Sequence, residues 1–329
     1  MIFDLEANNM VKKENFAYLN YLKAFAAITV VTHHSCTYSG LLSGSSALQA
    51  LCHIIAITTL PLFFLISGYL SHEKKRFLPY FGKKLEKLLI PFFLFTFLKL
   101  GYTFFISNSH AHGTSIPSQL FDAFVCGNLY WFVYAILLYF LLSPLFWKLK
   151  KWNIALIAVI FIINIILDYK KIVLTDILQI GNAFMYIGYY ILGYVLQLYQ
   201  DKLTRFEEKF RLLLFFLSIA ISTGTLALRL TVMDMTPYWM KIPAALSIIY
   251  LLYLPAKKLP NNIASLDFLG KHALHIMFFD SIFKVILFAI MQPNSITSLG
   301  LVIALNISLT CICCLIIKKI PVVRVLFGL

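Results

Sequence analysis

The chain has 329 residues, of which 60% are hydrophobic and only 13% charged, and the charges sit between long apolar runs rather than along amphipathic segments. Runs such as "IALIAVIFIINIIL" leave no solvated face, which excludes a soluble globular domain and points to an integral membrane protein. The formal net charge of +14 would suit a nucleic-acid binder, but its distribution excludes that partner: it marks cytoplasmic loops, as the elements below make plain.

The opening stretch, "MIFDLEANNMVKKENF", lacks a basic region leading into a short apolar core and a small-residue cleavage site, so residues 1–16 read as a cytoplasmic tail. At about 20 apolar residues per crossing, roughly ten spans follow. They are expected near 17–37, 48–70, 88–107, 129–147, 153–168, 178–199, 211–231, 238–255, 267–290 and 298–317. Basic clusters fall at Lys74, Lys75, Arg76, Lys83, Lys84 and Lys87, at Lys148, Lys150 and Lys151, at Lys202, Arg205, Lys209 and Arg211, at Lys257, Lys258 and Lys271, and at Lys318, Lys319 and Arg324. The loops 37–50, 106–128 and 292–298 hold no lysine or arginine, so both termini are expected in the cytoplasm. The expected fold class is therefore all-α, a polytopic membrane bundle forming one transmembrane domain over 1–329 with no fused soluble domain. The six cysteines show no metal-type spacing, most lie in or beside apolar spans, and no metal site is expected.

Ionisable groups inside spans are functional candidates because they are expensive to bury. In "NYLKAFAAITVVTHHSC", Lys23 and His34 are eleven residues apart, close to three turns, so they project from nearly one face about 16 Å apart along the axis. Asn20 lies on the same side, whereas His33 is rotated about 100° away and reads as a packed neighbour. Lys23 can equally snorkel to the headgroups. In "FFLISGYLSHEKK", Ser67 and Gly68 interrupt an apolar run and permit close helix packing or a site. In "FGKKLEKLLIPFF", Lys84 and Lys87 share a face at i and i+3 before Pro91, as a positive-inside flank or, with Lys23, a cytoplasmic anion pocket. The aromatics of "GNLYWFVYAILLYFLLSPLF", with Trp131, fit an interfacial belt or a platform for sugar rings. Near the ninth span come His272, His275 and Asp280, and an intramembrane aspartate requires a partner.

Taken in order, these segments resemble the acyltransferase-3 family of bacterial inner-membrane O-acyltransferases, over nearly the whole chain. Lys23 and His34 match the family's basic residue and histidine with ten positions between them. Ser67 and Gly68 match its phenylalanine-rich Ser-Gly segment, Lys84 and Lys87 its basic pair before a proline, Trp131 its Trp-Phe motif, and "FLGKHALHIMFF" its late Gly-x-x-Ser-Leu segment. The chain departs from the pattern at Asn20, where aspartate is frequent, at Ala273, where serine is usual, and at Asp280, which takes the place of a late histidine.

The resemblance implies a multi-pass enzyme of the inner membrane that moves an acyl group, acetyl by default, from cytoplasmic acetyl-CoA to a hydroxyl of an envelope glycan or lipid-linked saccharide. Acetyl-CoA is then a substrate, with no bound cofactor, and the partners are the acyl-CoA, the saccharide and the bilayer, with homo-oligomerisation left open. His34 is the implied general base, kept neutral by burial. Lys23, Lys84 and Lys87 are the implied phosphate-binding residues, and Asn20, Ser67, Trp131 and Asp280 the implied substrate contacts. Ser67 or a broken-helix amide is left to stabilise the oxyanion. The competing readings are a transporter or exporter of a small polar solute that uses the same polar stripe, and a structural partner in a glycan-synthesis complex.

Overall fold

The computed structural model describes residues 17–74, 76–105, 116–175, 177–231 and 236–327; the expected tail at 1–16 lies outside them. Among the described residues every regular element is a helix. In chain order these are α1 (Ala17–Tyr38), α2 (Ser46–Tyr69), α3 (Phe77–Phe105), α4 (Ile116–Phe124), α5 (Trp131–Leu149), α6 (Asn153–Lys170) and α7 (Ile180–Leu198). They continue as α8 (Gln200–Thr231), α9 (Tyr238–Lys258), α10 (Ala264–Lys271), α11 (Ala273–Met291), α12 (Ile296–Lys319) and α13 (Pro321–Leu326).

A helix stands at each place where the apolar runs predict a span, since a helix alone satisfies every backbone N–H and C=O within a segment in lipid. Among the described residues six segments are long and apolar enough to cross a membrane: Ser46–Tyr69, Trp131–Lys170, Gln200–Thr231, Tyr238–Lys258, Ala273–Met291 and Ile296–Lys319. The 40-residue segment Trp131–Lys170 is itself broken at Lys150, whose φ of 44° ends α5 before α6 begins.

Helix ends differ from the apolar runs in physically simple ways. α3 begins at Phe77 rather than near 88, and α8 at Gln200 rather than near 211, because charged flanks continue the helix into water. The junction in α8 is marked by a kink at Phe210, where φ is −113° and ψ 17°. The expected ninth span at 267–290 is not one helix. It breaks at His272, where the side-chain Nδ1 donates to the Phe268 carbonyl at 2.6 Å and the ring stacks on Phe268.

The chain divides into two compact units, residues 1–63 with 205–311, and residues 64–204 with 312–329. In the first, α10 and α11 lie along α1, which also contacts α9. Ala24, Ala26 and Ala27 of α1 are fully buried, Ala27 packs with Ala273 and Ile276 of α11, and small side chains allow such close approach. In the second unit α5 and α6 pack on α7, and α3 packs on α5. Its core is aromatic, with Phe64, Phe92, Phe95, Tyr139, Tyr189 and Tyr190 fully buried. There α2 and α7 touch backbone to backbone: a Cβ on Gly68 would stand 1.8 Å from the Tyr190 carbonyl oxygen, and one on Gly193 1.9 Å from that of Leu65. Gly68 is thus a packing residue.

Candidate active site

Within the first unit, α1 carries His34 to α11, where its Nδ1 lies 2.7 Å from Asp280 Oδ2. Asp280 is fully buried, and donors converge on it. Asn306 of α12 donates through Nδ2 to Oδ1 at 2.9 Å, and the Lys284 ammonium stands 3.7 Å from Oδ2. A carboxylate only accepts, so Nδ1 of the neutral His34 ring carries the hydrogen and Nε2 keeps its lone pair. The expectation that burial governs His34 is not met: its side chain is 47% exposed, against 0% for Asp280. Its tautomer and orientation come instead from the carboxylate. The arrangement is that of a base with an orienting acid behind it, which suits proton abstraction from a hydroxyl.

At the other end of α1 a second carboxylate gathers polar groups. Asn20 Nδ2 donates to Asp267 Oδ1 at 2.6 Å, and Lys271 pairs with Oδ2 of the same carboxylate. Half-buried Lys23 also acts on Asp267 electrostatically. Burial alone would raise the Asp267 pKa, but the hydrogen bonds from Lys271 and Asn20 and the charges of Lys271 and Lys23 outweigh it and hold the carboxyl below its ordinary range. This cluster forms because Gly270 lets α10 lie against α1: a Cβ there would be 2.0 Å from the Asn20 carbonyl oxygen. Tyr21 closes the same end, donating to the Pro260 carbonyl at 2.5 Å.

The second unit holds the other basic pair. Lys84 is half-buried, with its ammonium 4.9 Å from the Phe140 ring centroid and 5.7 Å from that of Tyr80. Lys74 faces Tyr80 at 5.7 Å, and Lys87 is exposed. Burial, then the charges of Lys87 and Lys74, push the Lys84 pKa down, as expected where cations crowd. Ser67 is half-buried on α2, and the Trp131 ring packs against Tyr186 at 5.6 Å and Phe64 at 6.3 Å.

His34 and Asp280 are therefore brought together, Asn20 and Lys23 gather at Asp267, and Lys84, Lys87, Ser67 and Trp131 belong to the second unit. Three polar residues of the first unit escaped the sequence reading. Lys284 is four positions beyond Asp280, one turn along the same helix, and that spacing was a readable signal for an ion pair. Asn306 is a lone amide in "LVIALNISLT", and Asp267 sits four residues before Lys271.

The chain matches the family model of the acyltransferase-3 group, described as an acyltransferase domain, over residues 16–318. No curated protein and no solved structure matches it. With apolar helices long enough to cross a bilayer several times and a family match over nearly its whole length, the chain belongs to the acyltransferase-3 family and is a multi-pass membrane acyltransferase.

Proposed function

We propose that this protein transfers an acetyl group from cytoplasmic acetyl-CoA to a hydroxyl of an envelope saccharide, with His34 as general base and Asp280 orienting it. In this reading the chain is one domain of about ten spans in the bacterial inner membrane, with both termini cytoplasmic, as the loop charges favour. The observation that carries the chemistry is the 2.7 Å contact between His34 Nδ1 and Asp280 Oδ2, which leaves Nε2 as the accepting atom.

The hydroxyl proton passes to His34 Nε2 while the oxygen attacks the thioester carbonyl carbon. The tetrahedral intermediate then collapses, the C–S bond breaks, and the imidazolium returns its proton to the departing thiolate. Asp280 stabilises the imidazolium while it exists. As the family resemblance implies, Lys84, Lys87 and Lys23 are the phosphate-binding residues; lysines act here as point charges, not bidentate forks. Asn20, which holds Asp267, is with Ser67, Trp131 and Asp280 an implied substrate contact.

The test is His34→Ala, read by mass analysis of the surface glycan alongside membrane accumulation of the protein. Acetylation is expected to fall by about 10²–10⁴-fold, the contribution of a positioned base. Normal acetylation by a normally inserted variant overturns the assignment. Movement of a small polar solute in proteoliposomes without consumption of acyl-CoA would favour the transporter instead.

A further inference from the structure

The acyl-transfer reading requires a group to hold the negative charge that develops on the carbonyl oxygen, for which the resemblance offers Ser67 or a broken-helix amide. It also gives Lys284 no task. Lys284 lies one turn beyond Asp280 on α11, with its side chain 15% exposed and its ammonium 5.7 Å from the Tyr38 ring centroid. A lysine so enclosed within an apolar helix is expensive unless its charge is matched. The simplest account is that Lys284 neutralises Asp280.

Three details argue that it does more. Asp280 is already satisfied, because His34 takes Oδ2 at 2.7 Å and Asn306 takes Oδ1 at 2.9 Å. The ammonium is 3.7 Å from Oδ2, beyond hydrogen-bond distance, so the pair is electrostatic and does not use the ammonium's N–H groups. Among the described residues no hydrogen bond engages those donors. Finally, Lys284 stands on the histidine side of Asp280, where its charge reaches His33. One carboxylate oxygen thus has the base at 2.7 Å and a donor-rich cation at 3.7 Å.

From this we infer that Lys284 is a catalytic residue whose ammonium stabilises the oxyanion of the tetrahedral intermediate. The inference rests on the acyl-transfer reading above. When the hydroxyl oxygen bonds to the carbonyl carbon, its proton goes to His34 Nε2 and the carbonyl π electrons move onto oxygen. Two new charges appear, an imidazolium and an oxyanion. Asp280 is paired with the first and Lys284 with the second, so a site holding one anion and one cation becomes two matched pairs. Without the ammonium, the site would hold two anions, the oxyanion and Asp280, against the single positive charge of the imidazolium. On collapse the electrons return to re-form C=O, the C–S bond breaks, and the thiolate sulfur takes the proton from His34. A donor of this kind is worth about 10²–10³-fold in kcat.

The test compares wild type with Lys284→Met, Lys284→Arg, Asp280→Asn and the double variant Asp280→Asn/Lys284→Met. Full-length protein in nanodiscs receives radiolabelled acetyl-CoA and surface saccharide extracted from a strain lacking the gene. Lys284→Met is expected to lower kcat by about 10²–10³-fold with the KM for acetyl-CoA unchanged, and Lys284→Arg, which keeps the cation, to recover most of the loss. The double variant contains no unpaired charge from this pair, so it decides the matter even where Lys284→Met folds poorly. If Lys284 holds the oxyanion, the double variant remains far slower than Asp280→Asn alone. If Lys284 only balances Asp280, the double variant equals or exceeds Asp280→Asn, and the inference falls. An active His34→Ala protein would instead sink the acyl-transfer reading itself.

Discussion

Gly270→Ala tests the structural premise of the site without touching a catalytic group. The added Cβ would lie 2.0 Å from the Asn20 carbonyl oxygen, 2.6 Å from its carbon and 2.8 Å from its Cα. All three are backbone atoms, so no side chain can swing aside. To reach ordinary van der Waals distance the two helices must separate by about 1.5 Å. That separation carries the 2.6 Å Asn20–Asp267 hydrogen bond beyond bonding range. Overpacking of this kind costs about 1–3 kcal/mol, and loss of a hydrogen bond to a charged group adds about 1.5–3 kcal/mol. Thermal unfolding in detergent measures the sum, with an expected fall in Tm on the order of 5 °C or more. Gly224, on α8 of the same unit, supplies the control, because nothing lies within 4 Å of a Cβ placed there. Gly224→Ala should raise stability by about 0.5–1 kcal/mol through helix propensity alone. The reasoning fails if Gly270→Ala unfolds at or above the wild-type temperature, or if the two variants shift in the same direction.

Lys84→Met and Lys87→Met should each raise the KM for acetyl-CoA about tenfold or more, as removal of a charged phosphate contact does, and should shrink the preference for acetyl-CoA over its 3′-dephospho form; an unchanged KM in both variants removes them from donor binding. Asp267 predicts an acid limb in stability: its pKa is held below the ordinary 3.8, so its contribution is complete above that pH and is lost as pH falls through the lower folded value. Chemical denaturation at a series of pH values should therefore find Asp267→Asn less stable than wild type near neutrality, with the gap closing below about pH 4; a gap independent of pH would show that the charge carries none of the effect.

Composition was enough to read the helical membrane class, because an apolar run without a polar face has only one stable form in lipid. It was also enough to single out Lys23, His34 and Asp280, since each is a costly group in such a run. Their partners were not legible. Asp280 meets His34 across a separation of 246 positions, and no local pattern encodes that pairing. Lys284 was the more accessible omission, as its i+4 spacing from Asp280 lies in plain view. The break at His272 was hidden for another reason: it accompanies the seating of Gly270 on the Asn20 backbone, a contact between residues 250 positions apart. Helix ends at Phe77 and Gln200 were misjudged because apolar run length counts lipid contact, whereas a helix needs only continued hydrogen bonding.

Why an apolar first helix keeps a polar group near each end follows from register. Asn20 meets Asp267 and His34 meets Asp280. Fourteen residues on α1 and thirteen on the α10–α11 segment separate these anchors, which correspond to about 21 and 20 Å of helical rise, so the segment runs parallel to α1 with little slack. Between the anchors the contact is apolar and small, with Ala27 and Val31 against Ala273 and Ile276. Alanine surfaces slide past one another with little penalty, so they set the spacing of the helices but not their offset. The two polar anchors supply the offset, because a shift of one residue along either helix would part each carboxylate from its donor on α1. The base proposed at His34, which the reaction would need placed to within a fraction of an ångström, is thereby located by an amide and a glycine some 20 Å away. The polar ends of α1 are two halves of one positioning device, and a change at Asn20 or Gly270 reaches His34 through the rigid helix between them.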